Sequence, residues 1–276
     1  MIKLSAMVGA PDLEQQTLAV YHNDLLPAFD QLRELGYEGI ELMTRDPWSL
    51  NGKQIARQLA ERGLKMVGFC SGHVFGEDRL GLVGPDPENC CQAMTRLKGF
   101  IDCAGEFFGP GTLVNIGRSR GVGDLADPAG TLDRMVEAFQ RLADHAAGSG
   151  VRVALEPINS HQANFIHTTQ EGLEIVRRVD HPNFGLMLDV YHMNIEDVSI
   201  EGGIRQAGTA CWFVHFADNN RKWPGSAHLD FGKVVEALND IIYDGFASLE
   251  ILPWPDPDSA ARLSINYLRR FIPKAA

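Results

Sequence analysis

Short apolar runs alternate with longer amphipathic ones along the whole chain. The runs Lys3–Val8, Gly39–Leu42, Lys65–Cys70, Thr112–Ile116, Arg152–Leu155, Phe184–Leu188, Trp212–Phe216 and Ala247–Ile251 read as strands. Several are rich in Val, Ile and Leu without polar alternation, the pattern of strands buried on both faces. Between them, apolar positions recur at helical spacing over Leu25–Leu35, Ile55–Arg62, Asn89–Ala104, Leu132–Ala147, Thr168–Val179, Phe231–Tyr243 and Ser259–Phe271. Gly36, Gly63 and Gly148 follow three of these as C-terminal stops, and Thr168 or Thr169 starts a fourth. Gly202 and Gly203 weaken the pattern over Glu196–Gly208.

Strands alternating with helices imply parallel strands joined by crossovers, and eight such pairs in 276 residues predict an α/β fold, a single (β/α)8 TIM barrel over residues 1–276. A doubly wound open sheet is the runner-up. Neither GxGxxG after the first strand nor GxxxxGK[ST] occurs, so the usual nucleotide-binding signals are missing.

Composition narrows the function. A hydrophobic content of 45% provides for a large core, and a net charge of −11 opposes binding to a phosphate backbone, so no nucleic-acid partner is expected. The five cysteines form no CxxC pair and read as free thiols of a reducing compartment. No apolar run suits a bilayer and the N-terminus does not read as a signal peptide, so a cytoplasmic protein without a membrane partner is expected.

In a barrel, the C-terminal ends of the strands face the catalytic mouth. Glu41, His73, Asn115 and Arg118 fall at or just past such ends. Glu156, Asp189, His215 and Glu250 each follow an apolar strand directly, at spacings of 33, 26 and 35 residues. A βα unit takes about 30 residues, so these four belong to consecutive strands. Three carboxylates meeting at one mouth repel one another, and a divalent cation resolves the conflict by neutralising them. An oxygen-rich set with one imidazole favours Mn²⁺ or Mg²⁺, with Co²⁺, Fe²⁺ or Zn²⁺ also compatible. His192, three residues past Asp189, reads as a hydrogen-bond partner for a substrate hydroxyl or as a helix cap. Arg221 reads as a substrate clamp or as a partner of Asp218. His73 reads as a pocket liner or a loop residue. Trp48, Phe75, Trp223 and Trp254 follow strands and are candidates for pocket walls.

At the segments Leu-Glu156-Pro-Ile-Asn159, Leu-Asp189-Val-Tyr-His192, His215-Phe-Ala-Asp218-Asn-Asn-Arg221 and Leu-Glu250-Ile, the chain resembles the xylose-isomerase-like sugar isomerases and epimerases. Within that superfamily it is most similar to the ketose 3-epimerases. The resemblance implies that Glu156, Asp189, His215 and Glu250 ligate the metal, that Glu156 and Glu250 also form the acid/base pair, and that His192 and Arg221 bind the substrate. Gln162 stands where those epimerases usually have a glutamate; an amide can hydrogen-bond a hydroxyl but cannot take a proton. The expected partner is a small sugar. The resemblance also suggests a homo-oligomer, a dimer or tetramer. Hydroxypyruvate isomerase and inositol-pathway isomerases or dehydratases are the nearest alternatives on this scaffold, and an apurinic endonuclease the distant one.

Overall fold

A computed structural model describes residues 1–14 and 18–273. Eight parallel strands form the frame: β1 (Lys3–Gly9), β2 (Gly39–Met43), β3 (Lys65–Cys70), β4 (Leu113–Ile116), β5 (Arg152–Leu155), β6 (Phe184–Asp189), β7 (Cys211–Phe216) and β8 (Phe246–Leu249). Each pairs with the next, and β8 returns to β1 in the register Lys3↔Phe246 to Ala6↔Leu249. That closing pair excludes the open doubly wound sheet and makes the fold a TIM barrel. A two-residue strand, Tyr21–His22, pairs with the end of β1 outside the barrel.

The strand period of two sorts the side chains. Val114, Leu155, Leu188 and Val214 belong to the large core shared with the helices. Their neighbours Leu113, Ala154, Met187 and Phe213 pack with Val67 as a separate buried cluster. Two residues further along the same inward face come Asn115, Glu156, Asp189 and His215. The apolar layer inside the barrel is thus the floor of the polar mouth.

The helices are α1 (Leu25–Leu35), α2 (Gly52–Glu61), α3 (Gly72–Gly76), α4 (Pro87–Phe107), α5 (Pro128–Ala147), α6 (Thr169–Val179), α7 (Val190–Glu196), α8 (Ile200–Ala207), α9 (Phe231–Asp240) and α10 (Pro257–Leu268). Three begin earlier than the apolar periodicity predicts, because each opens on an Asp-Pro pair. Asp86, Asp127 and Asp256 accept hydrogen bonds from the first turns of α4, α5 and α10, and the proline fills the position whose N–H has no helical partner. The weak segment Glu196–Gly208 holds the end of α7, which starts directly after Asp189, and the short helix α8, which Ser199 caps. Its glycines permit close packing: a Cβ on Gly203 would lie 2.6 Å from Asp197 Oδ2. No helix among the described residues is long and apolar enough to cross a membrane.

Candidate active site and metal centre

Glu156, Asp189, His215 and Glu250 come together at the mouth, each buried, with one potential ligand atom apiece within 4.8 Å of all the others. The strand ends impose this arrangement. Asp189 ends β6 beside His215 of β7 in the ladder, and Glu156 and Glu250 directly follow β5 and β8.

Each side chain is held by a partner behind it. Both oxygens of Glu41, itself fully buried on β2, face His215 Nε2 at 3.0 and 2.8 Å. Asn115 Nδ2 donates to Glu156 Oε2 at 3.0 Å. Asp189 Oδ1 accepts from the Tyr191 N–H at 2.8 Å, capping α7. Arg221 Nη1 donates to Asp189 Oδ2 at 2.6 Å, and its Nη2 contacts Glu250. Arg221 therefore pairs with the cluster and not, as one reading of the sequence had it, with the side chain of Asp218. The Asp218 carboxylate instead accepts from five backbone N–H groups, those of Asn219, Gly225, Ala227, His228 and Leu229, at 2.9–3.1 Å. That network shapes the β7–α9 loop, in which Arg221 takes the left-handed conformation (φ 61°) and packs over the Tyr191 ring at 4.5 Å.

His192 is fixed from behind as well. Asn159 Oδ1 accepts from the His161 N–H at 3.1 Å, so its Nδ2 is the atom 2.7 Å from His192 Nδ1. Nδ1 must then accept, and the ring hydrogen lies on Nε2, which points between Glu156 Oε1 at 3.7 Å and Asp189 Oδ2 at 3.8 Å. Burial pushes the His192 pKa down to about 4, so the ring is neutral at pH 7.

The residues fit a cation on two counts. His215 Nδ1 is buried, lies 3.3 Å from Glu250 Oε2, and has no hydrogen-bond partner among the described residues. Nε2 facing Glu41 is the usual outer support of a metal-binding histidine, and Nδ1 faces the carboxylates, where a cation would replace the proton that Glu41 and Glu250 otherwise hold on the ring. The charges agree. At the cluster four buried carboxylates (Glu41, Glu156, Asp189, Glu250) meet one buried guanidinium, Arg221, and a divalent cation would offset two of the three remaining negative charges. Among the protein groups alone, burial and neighbouring Glu250 push Glu156 up to about 8. Burial acts the same way on Glu250, but Arg221 and His215 outweigh it and hold that carboxyl well below the usual range.

Above the cluster lies a cavity of about 530 Å³, within the size range of small-molecule sites. His73, Gln162, His192 and Arg221 all line it, as do Cys70 and Trp254. Trp48, Phe75 and Trp223 do not line it. Trp48 packs edge-on against Phe107, Phe75 lies under the Arg118 guanidinium, and Trp223 packs on the main core.

Residues 29–271 match the family described as xylose isomerase-like TIM barrels. The chain belongs to this family. An L-ribulose 3-epimerase of Methylomonas sp. (strain DH-1) is 30% identical over 265 residues, covering 85% of this chain and 87% of that protein. A D-psicose 3-epimerase of Ruminiclostridium cellulolyticum is 41% identical over 124 residues, 45% of this chain and 42% of that protein. The crystal structure of D-psicose 3-epimerase with D-tagatose from Clostridium cellulolyticum H10 superposes with a TM-score of 0.83 at 24% identity, covering 98% of this chain and 99% of that one.

In this xylose isomerase-like barrel two further residues shape the site, and hydrophobic periodicity points to neither. Arg120 is fully buried and, among the described residues, bonds only backbone carbonyls; its basic character suggests surface, and nothing local to it suggests otherwise. Gly117 gives Glu156 its room: a Cβ there would lie 2.4 Å from Glu156 Oε2 and 3.2 Å from Ile158 Cδ1. Gly117→Ala should therefore push the carboxylate off Asn115 and lower turnover about 100-fold, the effect of an ångström-scale misplacement. Steady-state kinetics at saturating metal check this; wild-type turnover would mean that Glu156 has slack that the packing denies.

Proposed function

We propose that the protein is a divalent-metal-dependent 3-epimerase of a ketose. The observation that carries the proposal is the meeting of Glu156, Asp189, His215 and Glu250, with one unpartnered imidazole nitrogen, at the floor of a sugar-sized cavity. Similarity to a 3-epimerase over most of both chains supports the choice of reaction. Mn²⁺ or Mg²⁺ suits a donor set of three carboxylates and one imidazole. Held there, the cation supplies polarisation of the substrate carbonyl, which acidifies the neighbouring C–H.

The remaining work falls to the side chains. Glu156 and Glu250 follow strands three positions apart around the barrel and can approach a bound sugar from different sides. One takes the proton from C3, leaving an enediolate spread over C2 and C3. The other returns a proton to the opposite face of C3, which inverts that carbon. Arg221 and the Nε2–H of His192 are placed to donate to the substrate oxygens as their charge grows. Gln162 and His73 line the same cavity, where they are placed to contact hydroxyls. The neutral amide of Gln162 can fix orientation but not transfer a proton.

The test is turnover of a ketose panel, including L-ribulose, D-psicose, D-tagatose and D-fructose, by Mn²⁺-loaded protein in D₂O. Solvent deuterium should appear at C3 of the product and of recovered substrate. Label at C1 with formation of an aldose would replace epimerisation by isomerisation. Absence of exchange across the panel would refute the proposal.

A further inference from the structure

Arg120 is 1% exposed, yet no carboxylate pairs with it among the described residues. Its fork binds the backbone at three places. Nη1 donates to the Glu156 carbonyl at 2.6 Å and faces the Gly117 carbonyl at 3.3 Å. Nη2 donates to the carbonyls of Phe165 at 2.8 Å and Ile166 at 3.2 Å. A buried guanidinium is costly to desolvate, and a purely structural link between carbonyls and a donor is obtained more cheaply with neutral groups. What the fork adds is reach: it joins the end of β4, the end of β5 and the far end of the loop before α6.

The loop shows the constraint. Ile166 has φ 59°, a conformation in which a β-branched residue is strained. Its carbonyl is held twice, by Arg120 and by the Ile158 N–H at 3.1 Å. The segment pinned at both ends, 156–166, carries Glu156, Asn159, which sets the hydrogen of His192, and Gln162 at the cavity. We infer that Arg120 is a positioning residue of the active site: its guanidinium holds segment 156–166 strained, and so aims Glu156 and, through Asn159, His192. The proposal rests on the metal-dependent reading above for its Mn²⁺-affinity and kinetic consequences, whereas the amide-exchange consequence is independent of it.

The experiment compares Arg120→Met, Arg120→Lys and Asn164→Ala. Asn164 ties the same loop to Gly123 from the other side, with no bond to Glu156. Three quantities are measured: amide exchange of 156–166, Mn²⁺ affinity by calorimetry, and kcat and KM on whichever ketose the panel identifies. Arg120→Met should speed exchange of the segment about tenfold or more while β1 and β2 stay protected. It should weaken Mn²⁺ binding about 10- to 100-fold, the range seen when a metal ligand loses its outer support, with kcat falling more than KM rises. Arg120→Lys, which keeps the charge but not the fork, should give smaller changes of the same sign, and it decides the matter if the Met variant does not fold. Asn164→Ala should speed exchange but leave Mn²⁺ affinity within about twofold of wild type. Wild-type exchange and Mn²⁺ affinity in the folded Arg120 variants would overturn the inference, as would an equal loss of affinity in Asn164→Ala. The first two readouts need no substrate, so a failed ketose panel leaves this test intact.

Discussion

Glu156→Gln should lower turnover by about 10²- to 10⁴-fold at saturating metal, the span over which a positioned acid or base accelerates a proton transfer. The amide keeps the size of the side chain and an oxygen for a ligand bond, so the loss isolates the proton. Glu250→Gln should cost as much by the same argument, but with a different secondary effect. Glu250 shares Arg221 with Asp189, so its neutralisation leaves the guanidinium held by one carboxylate. Substrate affinity should therefore fall further in Glu250→Gln than in Glu156→Gln. Full turnover in either variant would remove that residue from the proton path.

The same Glu156 substitution has the opposite sign for stability in metal-stripped protein. Burial and Glu250 raise the folded pKa of Glu156 from the ordinary 4.5 to about 8. A raised pKa means that the folded state holds its proton more tightly than the unfolded chain. The resulting stability is fully present below about pH 4.5 and is lost as pH rises through about 8. Metal-stripped Glu156→Gln should thus lack this loss and melt higher than wild type at pH 8. Thermal melts from pH 5 to pH 8 check it, and parallel curves for the two proteins would contradict the assignment.

Asp218→Ala should be the most disruptive change outside the ligand set. Its carboxylate accepts five part-buried hydrogen bonds from backbone N–H groups, and a fully buried donor left without a partner costs about 1–3 kcal/mol, the upper bound for each. Local opening of the loop will relieve part of that loss, so we expect destabilisation of at least about 3 kcal/mol rather than the full sum. Arg221 sits three residues on, anchored by its own N–H to the Asp218 carbonyl at 2.8 Å and by its carbonyl to the Leu252 N–H at 2.8 Å. Opening the loop moves Arg221 off Asp189 and Glu250, and turnover should drop about 100-fold or more. Asp218→Asn, with one acceptor oxygen instead of two, should fall between. Denaturant unfolding and kinetics on both variants measure the two effects separately. An Ala variant that loses stability yet keeps kcat would show that Arg221 is positioned without the loop.

The sequence alone determined the frame and the four-residue cluster. Strands buried on both faces read as uninterrupted apolar runs, and a polar residue ending such a run must lie at the mouth, because the strand period alternates inward and outward positions. Glu156, Asp189, His215 and Glu250 were legible for that reason. The helix starts at the Asp-Pro pairs were missed by apolar periodicity, because capping chemistry sets them. Tertiary structure alone decided the partnerships. Arg221 turns to Asp189 and Glu250 because Asp218 is spent on backbone N–H groups; Glu41 reaches His215 across 174 residues of chain; Arg120 goes inward because three segments present carbonyls to it. These choices depend on which side chain reaches a buried donor or acceptor first in space. Closure of β8 onto β1 sets those distances, and no local run of residues encodes them.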